Sequence, residues 1–237
     1  MHQTMYATLG LGFALGLKHA TEADHLAAVS TIVSERRSLR QSATVGALWG
    51  LGHTTSLLIA GVFVIALGVG IPERLADLLE LMVAFMIIFL GARLLHMHIH
   101  SHTHGGRSHI HFHFHDKQHP DLKHPRHDRP HGRFLGWRPV FVGIVHGLAG
   151  SAALTLLVLS EIVRHGSALL GFAYLLIFGV GSIGGMLLMS SLIGLPFSLG
   201  FRFLQRTQLP LRLLIGLTST GFGLIYAWKI MSKLYLL

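Results

Sequence analysis

An eight-residue stretch, Lys18-His19-Ala20-Thr21-Glu22-Ala23-Asp24-His25, constrains this chain more than any other. It interrupts a segment that is otherwise apolar and glycine-rich, from Thr4 to Leu17 before it and from Leu26 to Val33 after it. Five of its eight residues can carry charge or bind a metal. At bilayer depth such groups cost several kcal/mol unless they pair with one another or line a wet cavity. An ionisable cluster inside a span therefore marks a functional site by default, and the rest of the chain is read as what makes it tolerable.

That the segment is a span follows from the chain as a whole. Only 12% of the 237 residues are charged, against about 25% in soluble domains, and long apolar runs recur. The sequence reads as an all-α polytopic membrane protein of six transmembrane helices. They are expected at about 4–33, 42–69, 76–95, 139–162, 168–195 (stopped near Pro196) and 210–231. The first apolar run leads into the polar motif rather than a small-residue cleavage site, so it reads as a retained span. The net charge of +9 would suggest nucleic acid in a soluble protein. Here the basic residues fall between spans, so the membrane explains them and no nucleic-acid partner is expected. With no cysteine, the chain has neither disulfides nor thiolate metal sites.

Arginines and lysines are retained on the cytoplasmic side of membranes. Arg36, Arg37 and Arg40 follow the first helix; Arg202, Arg206 and Arg212 follow the fifth; and eight more lie in or beside the polar insert 96–138. These loops are expected in the cytoplasm and both termini outside, in a multi-pass protein of the cell membrane. A weak repeat divides the chain. Gly16-Leu17-Lys18-His19-Ala20 resembles Gly143-Ile144-Val145-His146-Gly147, and Gly50-Leu51-Gly52-His53 resembles Gly179-Val180-Gly181-Ser182. The expected organisation is a first three-helix repeat (1–95), a His-rich cytoplasmic loop (96–138) and a second three-helix repeat (139–237). An odd number of helices per repeat inverts the second copy in the membrane, with a substrate site near the midplane. The repeat would bring His19 and His146 to one cavity.

On an ideal helix with His19 at 0°, Glu22 falls at about 300°, His25 at about 240° and Asp24 at about 140°. His19, Glu22 and His25 share a face and Asp24 does not. Two readings follow. Either the helix is unwound here, so that His19, Asp24 and His25 converge on one ion, or Asp24 sits behind the ligands and fixes a histidine tautomer. The competing reading is a polar network that only locks helices together. Imidazole with carboxylate suits Ni²⁺, Co²⁺, Zn²⁺ or Cu²⁺. His53, in Leu51-Gly52-His53-Thr54-Thr55-Ser56, lies mid-helix and is a further candidate. His146 is linked to the site by the repeat alone, and His2 with the terminal amine is a weaker one. Asp77, Glu80 and Glu161 read as interfacial charges.

Thirteen of the 19 histidines lie between His96 and His131. They alternate from His96 to His104 and again from His109 to His115, on either side of Gly105-Gly106. Period two puts the rings on one face of an extended chain, and the glycines suit a hairpin turn. The insert reads as a cytoplasmic reservoir for divalent metal, without structure from Gln118 to Gly132 unless metal is bound.

His19-x4-Asp24-His25, within Gly16-Leu17-Lys18-His19-Ala20 and Ala23-Asp24-His25-Leu26-Ala27-Ala28, resembles the signature of the nickel/cobalt transporter family. Leu51-Gly52-His53-Thr54-Thr55-Ser56 is similar to the family's second histidine motif. The resemblance covers about the first 60 residues. It implies secondary transport of Ni²⁺ or Co²⁺ as substrate, with no cofactor, and His19, Asp24, His25 and His53 as metal-handling residues. The chain lacks the extra N-terminal helix and the acidic, Thr-rich second-half motif of the large uptake members, and is similar to the short urease-associated branch. A His-rich loop in six helices also resembles the efflux branch, which generally lacks the Asp before the second His. The expectation is uptake of Ni²⁺, with Co²⁺ also carried; the alternatives are efflux and a membrane-anchored metal store or sensor. The partners are divalent transition-metal ions and the bilayer, with a homo-oligomer left open. No H-E-x-x-H occurs, so a metallopeptidase, and with it an enzyme, is not expected.

Overall fold

In the computed structural model the described residues are 2–36, 38–67, 72–98, 100–104, 107–111, 137–148, 158–159, 161–163, 167–203 and 205–236. They form helices α1 (His2–His19), α2 (Ala23–Val33), α3 (Leu39–Leu67) and α4 (Glu73–His98), strands β1 (His100–His104) and β2 (Arg107–His111), then α5 (Trp137–Gly147), α6 (Ala168–Phe203) and α7 (Gln205–Leu236). Among the described residues, four helices are long and apolar enough to cross a bilayer: α3, α4, α6 and α7. Their outward faces carry exposed Phe63, Phe89, Leu217 and Trp228. Such a surface suits lipid, because soluble proteins rarely expose large contiguous apolar area. The chain is a multi-pass membrane protein.

The helices cross-pack. α3 lies between α6 and α5, α1 lies on α6, and α4 pairs with α7, while short α2 touches α3, α4, α6 and α7. Glycines set the closest approaches. A Cβ on Gly16 of α1 would collide with the Phe178 carbonyl oxygen and the Ser182 nitrogen of α6. A Cβ on Gly143 of α5 would collide with the Trp49 carbonyl oxygen and the His53 nitrogen of α3. Without side chains at these points the backbones touch, as small residues permit in membrane helices. One apolar core gathers Val29, Val33, Val45, Trp49, Ile87 and Met186, and a second gathers Leu57, Leu159, Leu175 and Phe178.

The first helix is interrupted at the motif, as one reading of the sequence expects: it breaks after His19 and restarts at Ala23. Two helix bounds need correction. The fourth ends at Gly147 rather than near Ile162. The fifth is not stopped by Pro196, which lies inside α6. Proline removes one hydrogen bond and clashes with the preceding turn, yet helices packed in membranes accommodate it. The insert adds an antiparallel hairpin with His100 opposite His111 and His102 opposite His109, while His104 faces Arg107. The Gly105–Gly106 turn, His113, His115 and 118–132 lie outside the described residues. Asp77, near the start of α4, is buried, with one oxygen 2.8 Å from Lys233 Nζ.

Candidate metal site

The helix breaks where its side chains compete for its own carbonyls. Thr21 donates its hydroxyl to the Lys18 carbonyl at 2.6 Å, and Thr21 and Glu22 close tight turns onto Lys18 and His19 through their N–H groups. Hydroxyls that bond nearby backbone offer an alternative to the helical ladder. Glu22 is extended, at φ −66° and ψ 149°, and α2 starts behind it. The break puts His19 at the C-terminal end of α1 and Asp24 in the first turn of α2. A helix C-terminus favours positive charge and an N-terminus negative charge, so both groups sit where the backbone supports them.

The break rotates the motif inward. His19, His25, His53 and His146 are all buried, from three separate stretches of chain. The offered nitrogens of His19, His25 and His53 all lie within 4.8 Å of one another. Asp24, His25 and His146 form a second group within the same limit, joined through His25. A carboxylate oxygen only accepts hydrogen bonds, so the ring nitrogens facing one carry the hydrogen. His25 Nδ1 donates to Asp24 Oδ1 at 3.1 Å, and the His25 backbone N–H donates to the same oxygen at 2.9 Å. His146 Nε2 donates to Asp24 Oδ2 at 2.9 Å. His19 Nδ1 pairs with Glu22 Oε2 at 3.1 Å.

These bonds leave lone pairs on the opposite nitrogens. His25 Nε2 is buried without a partner among the described residues. His19 Nε2 faces His53 Nε2 at 3.1 Å, so without an ion one of the two must hold a proton between them. Histidines that bind metal usually donate their other N–H to a carboxylate, which fixes the tautomer and raises basicity. Both His19 and His25 have that arrangement. Three neutral imidazoles backed by two carboxylates can hold a divalent ion with near-neutral net charge, which limits the cost of burying it.

Asp24 therefore stands behind the rings, and the break is also real; the two readings of the motif coexist. The structure brings together five of the six expected residues. The side chain of His2 lies outside the described ones. Sequence reasoning left out three neighbours. Glu22 was placed on the His19 face but given no role. Trp49 is stacked on the His25 ring at 5.9 Å between centroids and lies 5.6 Å from His146. Phe178 lies 5.5 Å from His19. The repeat could have found the last two, since it sets Trp49 four residues before His53 and Phe178 four before Ser182.

A family model described as "Cytochrome C biogenesis protein transmembrane region" matches residues 11–225. The urease accessory protein UreH of Bacillus sp. (strain TB-90) is 36% identical over 229 residues, covering 95% of this chain and 92% of that protein. The chain belongs to this family of transmembrane proteins and to its nickel/cobalt transporter branch. A high-affinity nickel transport protein of Cupriavidus necator is 33% identical over 75 residues, 31% of this chain and 21% of its own length. The chloroplast protein FOR GROWTH AND FERTILITY 1 of Arabidopsis thaliana is 28% identical over 189 residues, 77% of this chain and 48% of that one. No solved structure matches the chain. With no cysteine, neither thiol exchange nor thioether attachment of haem can run through its own residues. Its relatives are transport and accessory proteins, which agrees with a permease rather than an enzyme.

Proposed function

We propose that this chain is a secondary transporter that carries Ni²⁺, and Co²⁺ with it, into the cell through a site built from His19, His25 and His53. Asp24 and Glu22 orient and neutralise that site, and His146 completes it from the second half. The observation that carries this reading is the convergence of three buried imidazole nitrogens at a helix break, two of them backed by carboxylates. The printed name of one relative, a high-affinity nickel transport protein, supports nickel as the substrate. Imidazole ligands bind Ni²⁺ and Co²⁺ well.

Six spans in two inverted repeats fit the packing. With the repeat offsets read from the sequence, Gly16 corresponds to Gly143, Phe178 to Trp49 and Ser182 to His53. The Gly16 contacts with Phe178 and Ser182 are then the same contacts as those of Gly143 with Trp49 and His53. The break after α1 and the end of α5 at Gly147 also fall at matching places. Inversion gives the two aromatics opposite roles. Trp49 lies on the side of the site towards the Arg36–Arg40 loop, and Phe178 on the side towards the start of α6. Each is fully packed, so the site is closed at both ends, and alternating access moves one aromatic aside at a time. The Arg-rich loops and the His hairpin are then cytoplasmic and both termini external.

The test is ⁶³Ni²⁺ flux in proteoliposomes. His19→Ala, His25→Ala and His53→Ala should each abolish saturable uptake, with His146→Ala milder. Unchanged flux in all of them would overturn the site. Normal binding with flux only outward from loaded vesicles would assign export.

A further inference from the structure

A groove of about 860 Å³ opens sideways between α2, α4 and α5, away from the histidines. Its body is apolar, with Ile32, Met82, Phe85, Met86, Phe89 and Phe141 among its walls. Its mouth is not: Glu35, Arg36, Arg93, Trp137 and Arg138 also line it. Arg36 follows the C-terminal end of α2, Arg93 is in the last turns of α4, and Arg138 is in the first turn of α5. Arg36 feels the charges of both Arg93 and Arg138, and Glu35 is the single acid acting on it. Arg36 Nε is buried and has no hydrogen-bond partner among the described residues. A buried donor without an acceptor costs free energy, and like charges gathered at one point cost more.

We propose that this groove binds an anionic phospholipid, the phosphate on Arg36, Arg93 and Arg138 and one acyl chain along Met82, Phe85 and Phe89. From Arg93 down to Met82 the helix rises about 16 Å, which matches one leaflet of a hydrocarbon core about 30 Å thick. Trp137 stands at the mouth, at the depth where indoles sit at membrane interfaces. Basic pockets between helices on the cytoplasmic side take anionic headgroups. The orphaned Arg36 Nε supplies the donor and the phosphate the missing acceptor.

The obvious competitor is the chain's own insert, which ends beside the groove. Its charge argues against it. Between residues 112 and 136, Lys117, Lys123, Arg126, Arg129 and Arg133 outnumber Asp116, Asp121 and Asp128. A basic segment does not complement three arginines.

Native mass spectrometry of the full chain decides the matter. Protein stripped of lipid is offered an equimolar mixture of phosphatidylglycerol and phosphatidylcholine. The first bound lipid should favour phosphatidylglycerol roughly tenfold, given two net positive charges at the mouth. The preference should shrink as salt rises. Arg36→Gln combined with Arg93→Gln and Arg138→Gln should remove it, while Arg40→Gln, an exposed control, should not. Equal binding of the two lipids by the unaltered protein would overturn the proposal without any variant. So would a preference that survives the triple change, or a gain in phosphatidylglycerol binding when 112–136 is deleted, which would mean that the insert covers the groove.

Discussion

Replacing Asp24 with asparagine separates the charge behind the metal site from its shape. Asp24 accepts three hydrogen bonds: two from His25 at 2.9 and 3.1 Å, and one from His146 at 2.9 Å. The asparagine carbonyl can keep both His25 donors. Its NH₂ then faces His146 Nε2, which must shift its hydrogen to Nδ1 and accept. The network can therefore survive while the negative charge is lost. Removing the carboxylate partner of a ligating histidine costs about 10–100-fold in metal affinity, or roughly 1.4–2.7 kcal/mol. Nickel binding to purified protein by calorimetry should weaken by that much, and the concentration for half-maximal ⁶³Ni²⁺ uptake should rise in step. Glu22 is partly exposed, with 42% of its side chain open, so water screens it and Glu22→Gln should cost less. Asp24→Ala should be worse than Asp24→Asn, since it leaves the buried donors of His25 and His146 unpaired at about 1–3 kcal/mol each. Wild-type nickel affinity in Asp24→Asn, or a larger loss in Glu22→Gln, would refute the reasoning.

Other outcomes follow from the same geometry. In a chain without cysteine, His53→Cys reports access: impermeant thiol reagents should react faster from the cytoplasmic side when Trp49→Ala is added. Adding Phe178→Ala should speed the reaction from the external side instead, and acceleration from one side in both variants would contradict the inverted arrangement. Gly143→Val should block assembly, because its side chain meets the backbone of α3 and overpacking costs about 1–3 kcal/mol or more. Gly10→Ala, which meets nothing within 4 Å, should leave expression and melting temperature unchanged. Serine at His100, His102, His109 and His111 should reduce the number of weak nickel sites seen at equilibrium without changing the half-saturation of uptake.

The site was legible where its chemistry is local. His19, Asp24 and His25 announce themselves because charged groups are costly in an apolar helix. Their angular mismatch on an ideal helix also forecasts a break, even though no proline or glycine lies between Lys18 and His25. His53 needed only its polar neighbours, but His146 needed the repeat, and without it would read as one more core histidine. Trp49 and Phe178 carry no local signal, since an aromatic in an apolar helix looks the same whether it faces lipid, core or a metal site; in the sequence, the repeat alone singles them out. Pro196 misled for a related reason: a rule drawn from isolated helices does not apply where packed neighbours support the helix around the proline. The pairing of Asp77 with Lys233 was not legible, because the partners are 156 residues apart.

The crossed packing of α1 on α6 and α5 on α3 has a consequence for how the protein is made. Neither half contains its own closing surfaces. α1 emerges early from the ribosome, yet the helix that covers its glycine face begins only at Ala168, after the insert. Until then, Gly12 and Gly16 lack their cover, and the broken motif at His19–Asp24 lacks Phe178. The four histidines cannot meet until α5, which carries His146, has docked on α3. A chain truncated before α5 would leave a site without His146 and Phe178, able to attract metal without the means to pass it on. Assembly thus completes the carrier in one late event, and the interlock that delays it also keeps the halves together once it has occurred.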